Sequence, residues 1–150
     1  MPLRLFVSPR SIAILCLGVI LLAVGIYEMT PGQRLKARQE ALVEWARDGA
    51  PGDFARKFAA ADYLDQWHFT AGDIAERVRA ARFLQPGLTL DAADPEISGA
   101  GDTATVTQQI TIRPGDGETL EHEFQFTWHR ESIWPWSWKL RAVHAEGLRF

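Results

Sequence analysis

Thr103-Ala-Thr-Val-Thr-Gln-Gln-Ile-Thr-Ile112 alternates without a break, and its reading decides the fold. Ala104, Val106, Gln108, Ile110 and Ile112 fall on one side, and Thr103, Thr105, Thr107, Gln109 and Thr111 on the other. A period of two with one apolar side is the mark of a strand lying on a core. Pro114-Gly-Asp-Gly117 is a strong turn signal, and the chain returns with Leu120, His122, Phe124, Phe126 and Trp128 in alternation. A closing strand from Trp136 to Ala145 sets Trp138, Leu140, Ala142 and His144 on one side. If the connection before it centres on Ile133, Trp128 faces Trp138, Phe126 faces Leu140 and His122 faces His144. A three-residue turn after Arg113 sets Gln108 opposite His122, whereas a five-residue loop sets Ile110 there. Upstream, Leu88–Leu90 and Glu96–Ser98 read as short, weak strands.

Before the strands the period is helical. Thr30-Pro31 starts a helix with a hydroxyl N-cap and proline at the first position; Leu35, Leu42, Trp45 and Ala46 recur along it until Asp48-Gly49. Asp53 caps a second helix reaching Gln66, with Phe54, Phe58, Ala61 and Leu64 as its apolar stripe. A third begins at Thr70, where Thr70-x-x-Asp73 has the form of a capping box; Ile74, Val78 and Ala81 face inward, and Arg77, Arg79 and Arg82 read as a solvated face balanced by Asp73 and Glu76, in preference to an anion site. Three helices and three longer antiparallel strands predict a single α+β domain over residues 30–150.

Ahead of the domain, Ser11 to Tyr27 is seventeen residues without a charge, about 25 Å as a helix. We read residues 11–29 as a transmembrane helix behind a short basic tail, residues 1–10, so the bilayer is the first expected partner. A core helix this uniform needs more surrounding protein than the rest of the chain supplies. A cleaved signal peptide, cut after Gly25, is the competing reading; the length of the run and its continuation through Ile26-Tyr27 favour an anchor. Arg4 and Arg10 on one side nearly balance Arg34, Lys36 and Arg38 on the other. A short basic head before an early anchor points the domain into the periplasm, on the inner membrane. Fourteen of the sixteen Lys and Arg residues and all nineteen acids follow Tyr27, a formal charge of −5 that argues against nucleic acid. Cys16 is the only cysteine, so no internal disulfide forms.

The helical blocks Pro31–Asp48, Asp53–Gln66 and Thr70–Leu84, closed by Trp138-Lys-Leu-Arg-Ala-Val-His144, resemble the NTF2-like (cystatin-like) superfamily over about 120 residues. The resemblance implies a curved antiparallel sheet folded as a cone around N-terminal helices. An anchor followed by such a domain is also similar to the VirB8-like assembly components of type IV secretion systems. Enzymes of the superfamily, such as ketosteroid isomerases and scytalone dehydratase, use the open end of the cone as an apolar pocket; other members pair through the outer sheet face.

Two functions follow. The first is a single-pass accessory or assembly subunit whose domain binds a neighbouring protein of a membrane complex, or a second copy as a homodimer. Its candidate contacts are Trp134 and Trp136 in Ser132-Ile-Trp-Pro-Trp-Ser-Trp138, and Phe150 at the apolar terminus. The alternative is a membrane-tethered pocket protein, binding or turning over a small apolar ligand. There His122 and His144, with Gln108, Tyr63, Asp65 or Asp62, supply acid–base groups. Neither histidine sits in a recognised ligand or catalytic motif, so the chain reads more readily as a non-enzyme, with no cofactor and no metal expected.

Overall fold

The computed structural model describes residues 9–28, 31–99, 101–134 and 137–149; among residues 9–31, side chains are described for 13–22 only. Three α-helices, α1 (Pro9–Glu28), α2 (Pro31–Asp48) and α3 (Ala71–Leu84), precede five strands: β1 (Thr89–Ala92), β2 (Glu96–Ser98), β3 (Thr103–Arg113), β4 (Leu120–Arg130) and β5 (Trp138–His144). All pair antiparallel in the order β1-β3-β4-β5, with β2 on β3 beyond the end of β1. The α+β class expected from the sequence is therefore present.

Alternation in β3 is realised residue by residue: Ala104, Val106, Gln108 and Ile110 are buried, and β4 sets Phe126 and Trp128 beside them. Ile110 pairs with His122 and Gln108 with Phe124, the register of the longer hairpin loop. On β5 the expected register does not hold. Trp128 pairs with Leu140 and Thr127 with Ala142, which leaves Arg141 as an extra, bulged residue. Trp138 and Leu140 stay inside as expected, but beyond the bulge the parity inverts. Phe126 meets Val143, Ala145 is buried, and His144 pairs with Gln125 on the exposed side. Arg141 holds the bulge in place, its side chain ion-paired to Asp62 and its carbonyl taking the Leu64 N–H.

The second helix is shorter than its apolar pattern predicts. Phe54–Phe58 forms a single π-helical turn with both phenylalanines buried, and at Ala59 the backbone becomes extended. From there the chain runs along the edge of β5: the N–H groups of Ala60, Leu64 and Gln66 donate to the carbonyls of Leu140, Arg141 and Val143. Three edge hydrogen bonds outweigh continuation of a helix over Ala61 and Leu64, both of which are exposed.

α2 buries Leu35, Leu42, Val43 and Trp45 against the sheet, with Gln39 on the same face. Its expected N-cap, Thr30, lies outside the described residues. At its other end Arg82 of α3 donates to the carbonyls of Trp45, Ala46 and Gly49, satisfying groups that a helix C-terminus leaves open. That arginine, read from sequence as solvated, is a cap. Gly49 is required there, because a Cβ would come 2.4 Å from Trp45 Cδ1. The capping box of α3 forms as expected: Thr70 Oγ1 accepts from the Asp73 N–H, and Asp73 Oδ2 accepts from the Thr70 N–H.

α1 is one unbroken helix under the uncharged run. The described apolar side chains, Ile14, Leu15, Leu17, Val19, Ile20, Leu21 and Leu22, are all 57–71% exposed. Among the described residues no helix is long and apolar enough to cross a membrane. Residues 13–22 span about 15 Å, half of a hydrocarbon core. The expected span over residues 11–29 is therefore not shown, and most of the basic tail, residues 1–8, lies outside the described residues.

Candidate functional site

Between the inward face of the sheet, the C-terminal half of α2 and the inner face of α3 lies a cavity of about 540 Å³. Ile110, Ile112, Phe124, Phe126, Leu140 and Val143 form its sheet wall, Leu42, Val43, Trp45 and Ala46 its α2 wall, and Ile74, Val78 and Ala81 its α3 wall. The α3 stripe read as core-facing thus faces a hollow. The bulge at Arg141 shapes this wall, since it turns Val143 inward in place of Ala142. At the far end of α3, Gly87 and Gly115 touch so closely that a Cβ on Gly87 would stand 3.1 Å from Gly115 Cα; the helix end thereby rests on the β3–β4 hairpin.

Polar groups reach the cavity from the segment that follows the π-helical turn. Asp65, 4% exposed, accepts from the N–H groups of Trp67 and Phe69 through Oδ1, both at 2.9 Å, which folds residues 65–69 into a tight turn. His68 completes the turn at φ 63, in the left-handed region. Asp65 Oδ2 accepts a long 3.5 Å hydrogen bond from the Tyr63 hydroxyl. Tyr63 packs edge-on against Phe54, centroids 5.4 Å apart, and Phe54 lies tilted against Trp45 at 4.9 Å. Arg77 covers Phe69, its guanidinium 3.6 Å from the ring centroid. The combination is an apolar chamber with a phenol and a carboxylate set in one wall.

Burial pushes the Tyr63 phenol well above its ordinary range, and the Asp65 charge and hydrogen bond push it further. Its folded-state value is raised, so its stabilising contribution is complete below the pKa of free tyrosine, about 10, and is lost progressively as pH climbs from there toward the raised folded-state value. The unfolded chain then ionises while the buried ring does not. Melting temperatures measured between about pH 9 and 11 should fall more steeply for the wild type than for Tyr63→Phe. Parallel slopes would contradict the burial of this hydroxyl.

The other sequence candidates lie elsewhere. Gln108 is buried behind the cavity, its amide donating to the Ala93 carbonyl at 2.7 Å and its oxygen accepting from Gln39 Nε2 at 2.7 Å. His122 is half-buried on the inward face opposite Ile110, away from the cavity lining, and His144 is exposed on the other face. The expected side-by-side imidazoles are therefore not formed. Asp62 is exposed and paired with Arg141, whose hydrogen bond holds its carboxyl below the usual range. Trp134 is 52% exposed; Trp136 and Phe150 lie outside the described residues. Among the described residues no three His, Cys, Asp or Glu side chains gather as a metal site. Sequence reasoning missed Trp67 and Phe69, whose place in the wall depends on the turn at Asp65, and the lining role of Arg77 on α3, which covers Phe69.

No protein-family model and no curated protein sequence matches the chain. Solved structures do match. Bd1075 of Bdellovibrio bacteriovorus superposes with TM-score 0.64 at 8% identity over 78% of this chain, which spans 40% of that protein. An NTF2-like protein of unknown function from Pseudomonas aeruginosa matches with TM-score 0.57 at 17% identity, covering 77% of this chain and 97% of the other. A candidate dehydratase of the NTF2-like family from Streptomyces avermitilis matches with TM-score 0.55 at 19% identity, covering 79% and 96%. These likenesses carry the fold; neither a membrane anchor nor a link to VirB8-like components is shown by them. With helices laid on an antiparallel sheet and a chamber between the two, this chain has the NTF2-like, cystatin-like α+β fold.

Proposed function

We propose that this chain is a membrane-tethered binding protein for a small, largely apolar molecule that carries one polar group. The cavity carries this reading. Its volume of about 540 Å³ lies within the range of small-molecule sites, and its apolar walls give affinity through burial while Tyr63 and Asp65 orient the ligand. Asp65 Oδ1 is committed to two backbone N–H groups; Oδ2 holds only the long Tyr63 contact among its described hydrogen bonds and suits a hydroxyl or amine on the ligand. The tether is α1, whose described apolar side chains are uncovered by the domain and sit within an uncharged run from Ser11 to Tyr27. The accessory-subunit reading draws on Trp134, Trp136 and Phe150, of which only Trp134, exposed, lies among the described residues, whereas the chamber is a recessed apolar site with its own polar groups. The likeness to a candidate dehydratase, at 19% identity, carries no reaction across.

Calorimetric titration of the full chain in lipid nanodiscs with naphthol, an apolar body bearing one hydroxyl, tests the site. Val78→Trp projects an indole from α3 into the chamber, and its affinity is expected to fall about tenfold or more relative to wild type, after subtraction of empty nanodiscs. Equal heats from wild type and variant would sink the reading.

A further inference from the structure

One flank of this acidic domain gathers cations. Arg34 and Arg38 stand one turn apart on α2; Arg34 Nη1 donates to the Ile133 carbonyl at 3.0 Å, and Arg38 donates to the carbonyls of Trp138 and Lys57. Lys139 Nζ donates to the carbonyls of Arg56 and Lys57, both at 3.3 Å. These contacts bring five cations to one side. Asp53 bridges Arg56 and Lys57, and Glu131 lies in the loop before β5. The Arg56 and Lys57 side chains remain 73% and 52% exposed. Beside them Ile133 and Trp134 stand out from the loop before β5, at 76% and 52% exposure.

Position along the chain gives this flank its meaning. Arg34 lies in the first turn of α2, which starts at Pro31, three residues after α1 ends at Glu28. The Ile133 loop is hydrogen-bonded to that turn, so it is held next to the point where the chain leaves α1. The cavity wall on α2, Leu42 to Ala46, lies a further 8–12 residues along the helix, about 12–18 Å away.

We propose that this flank, Ile133 and Trp134 together with Arg34, Arg38, Arg56, Lys57 and Lys139, rests on the anionic headgroups of the bilayer that holds α1. The inference rests on the tether reading. Tryptophan partitions to the headgroup level with its ring against the acyl chains, and cations within a Debye length of an anionic leaflet are drawn to it. Continuity with α1 and the reversal of sign against an acidic domain favour lipid over a protein partner. The contact fixes the orientation of the domain, with the α2 wall of the chamber on the side away from the membrane.

The test uses the full chain reconstituted in vesicles of phosphatidylcholine with or without phosphatidylglycerol, with lipid brominated close to the headgroup as quencher. Quenching of tryptophan fluorescence in the anionic vesicles is expected to fall about twofold in Trp134→Phe, and to the same degree in Lys57→Glu/Lys139→Glu or without phosphatidylglycerol. Equal quenching in wild type and Trp134→Phe, or quenching indifferent to lipid charge, overturns the proposal while leaving the tether standing. Release of the chain from vesicles by alkaline carbonate removes the tether, and this inference with it.

Discussion

Replacing Gln39 by leucine is expected to lower the unfolding free energy by about 2–5 kcal/mol, although leucine is similar in size and more apolar. Gln39 lies in the middle of a buried relay. Its Oε1 accepts from Trp128 Nε1 at 3.0 Å, its Nε2 donates to Gln108 Oε1 at 2.7 Å, and Gln108 passes the chain on to the Ala93 carbonyl. Gln39 and Trp128 are fully buried and Gln108 is 4% exposed, so no water replaces a lost partner. Leucine leaves the indole N–H and the Gln108 oxygen both stranded, at about 1–3 kcal/mol each, less what the apolar side chain regains. The relay also makes the cost non-additive. Gln39→Leu/Gln108→Leu removes donor and acceptor together at their shared bond, and urea denaturation should give it less destabilisation than the two single changes combined. A Gln39→Leu protein within about 0.5 kcal/mol of wild type would show that the relay does not hold the helix to the sheet.

Asp65→Ala should cost about 2–4 kcal/mol and abolish naphthol binding with it, whereas Asp65→Asn should stay within about 1 kcal/mol of wild type. The reason lies in the division of labour between the two oxygens. Oδ1 terminates the backbone N–H groups of Trp67 and Phe69 and holds His68 in its left-handed conformation. Alanine strands both N–H groups and frees the wall formed by Trp67 and Phe69. An asparagine oxygen accepts from the same groups, so the turn survives, but the charge facing the cavity is gone. The pair of variants therefore separates folding from recognition. A ligand with a hydroxyl or amine should bind Asp65→Asn more weakly while the chemical melt is nearly unchanged; unaltered binding would remove Asp65 from the site.

Legibility followed the range of the interaction. The capping box at Thr70 and Asp73 and the alternation of β3 are set by neighbours within four residues, and both appear in the structure where the residues place them. The second helix stops short of its pattern: Phe54, Phe58 and Ala61 have helical spacing, but the carbonyls that draw the following N–H groups away belong to Leu140, Arg141 and Val143, some eighty residues on. His122 and His144 share a parity on paper, but one bulged residue, Arg141, turns the second outward. Gln39 could have been suspected from its place between Leu35 and Leu42 on the inward stripe; its partners Trp128 and Gln108 could not.

By itself the sequence determined the α+β class, the inward faces of β3 and β4, and the uncharged run that α1 covers, because each depends on periodicity and on short-range backbone preference. Tertiary structure alone decided the register of β5, the truncation of the second helix, the relay through Gln39 and the existence of the chamber. Those depend on which distant carbonyls are open to an N–H and on where side chains fail to fill the space between sheet and helix. Neither quantity is written in the order of residues along any one segment.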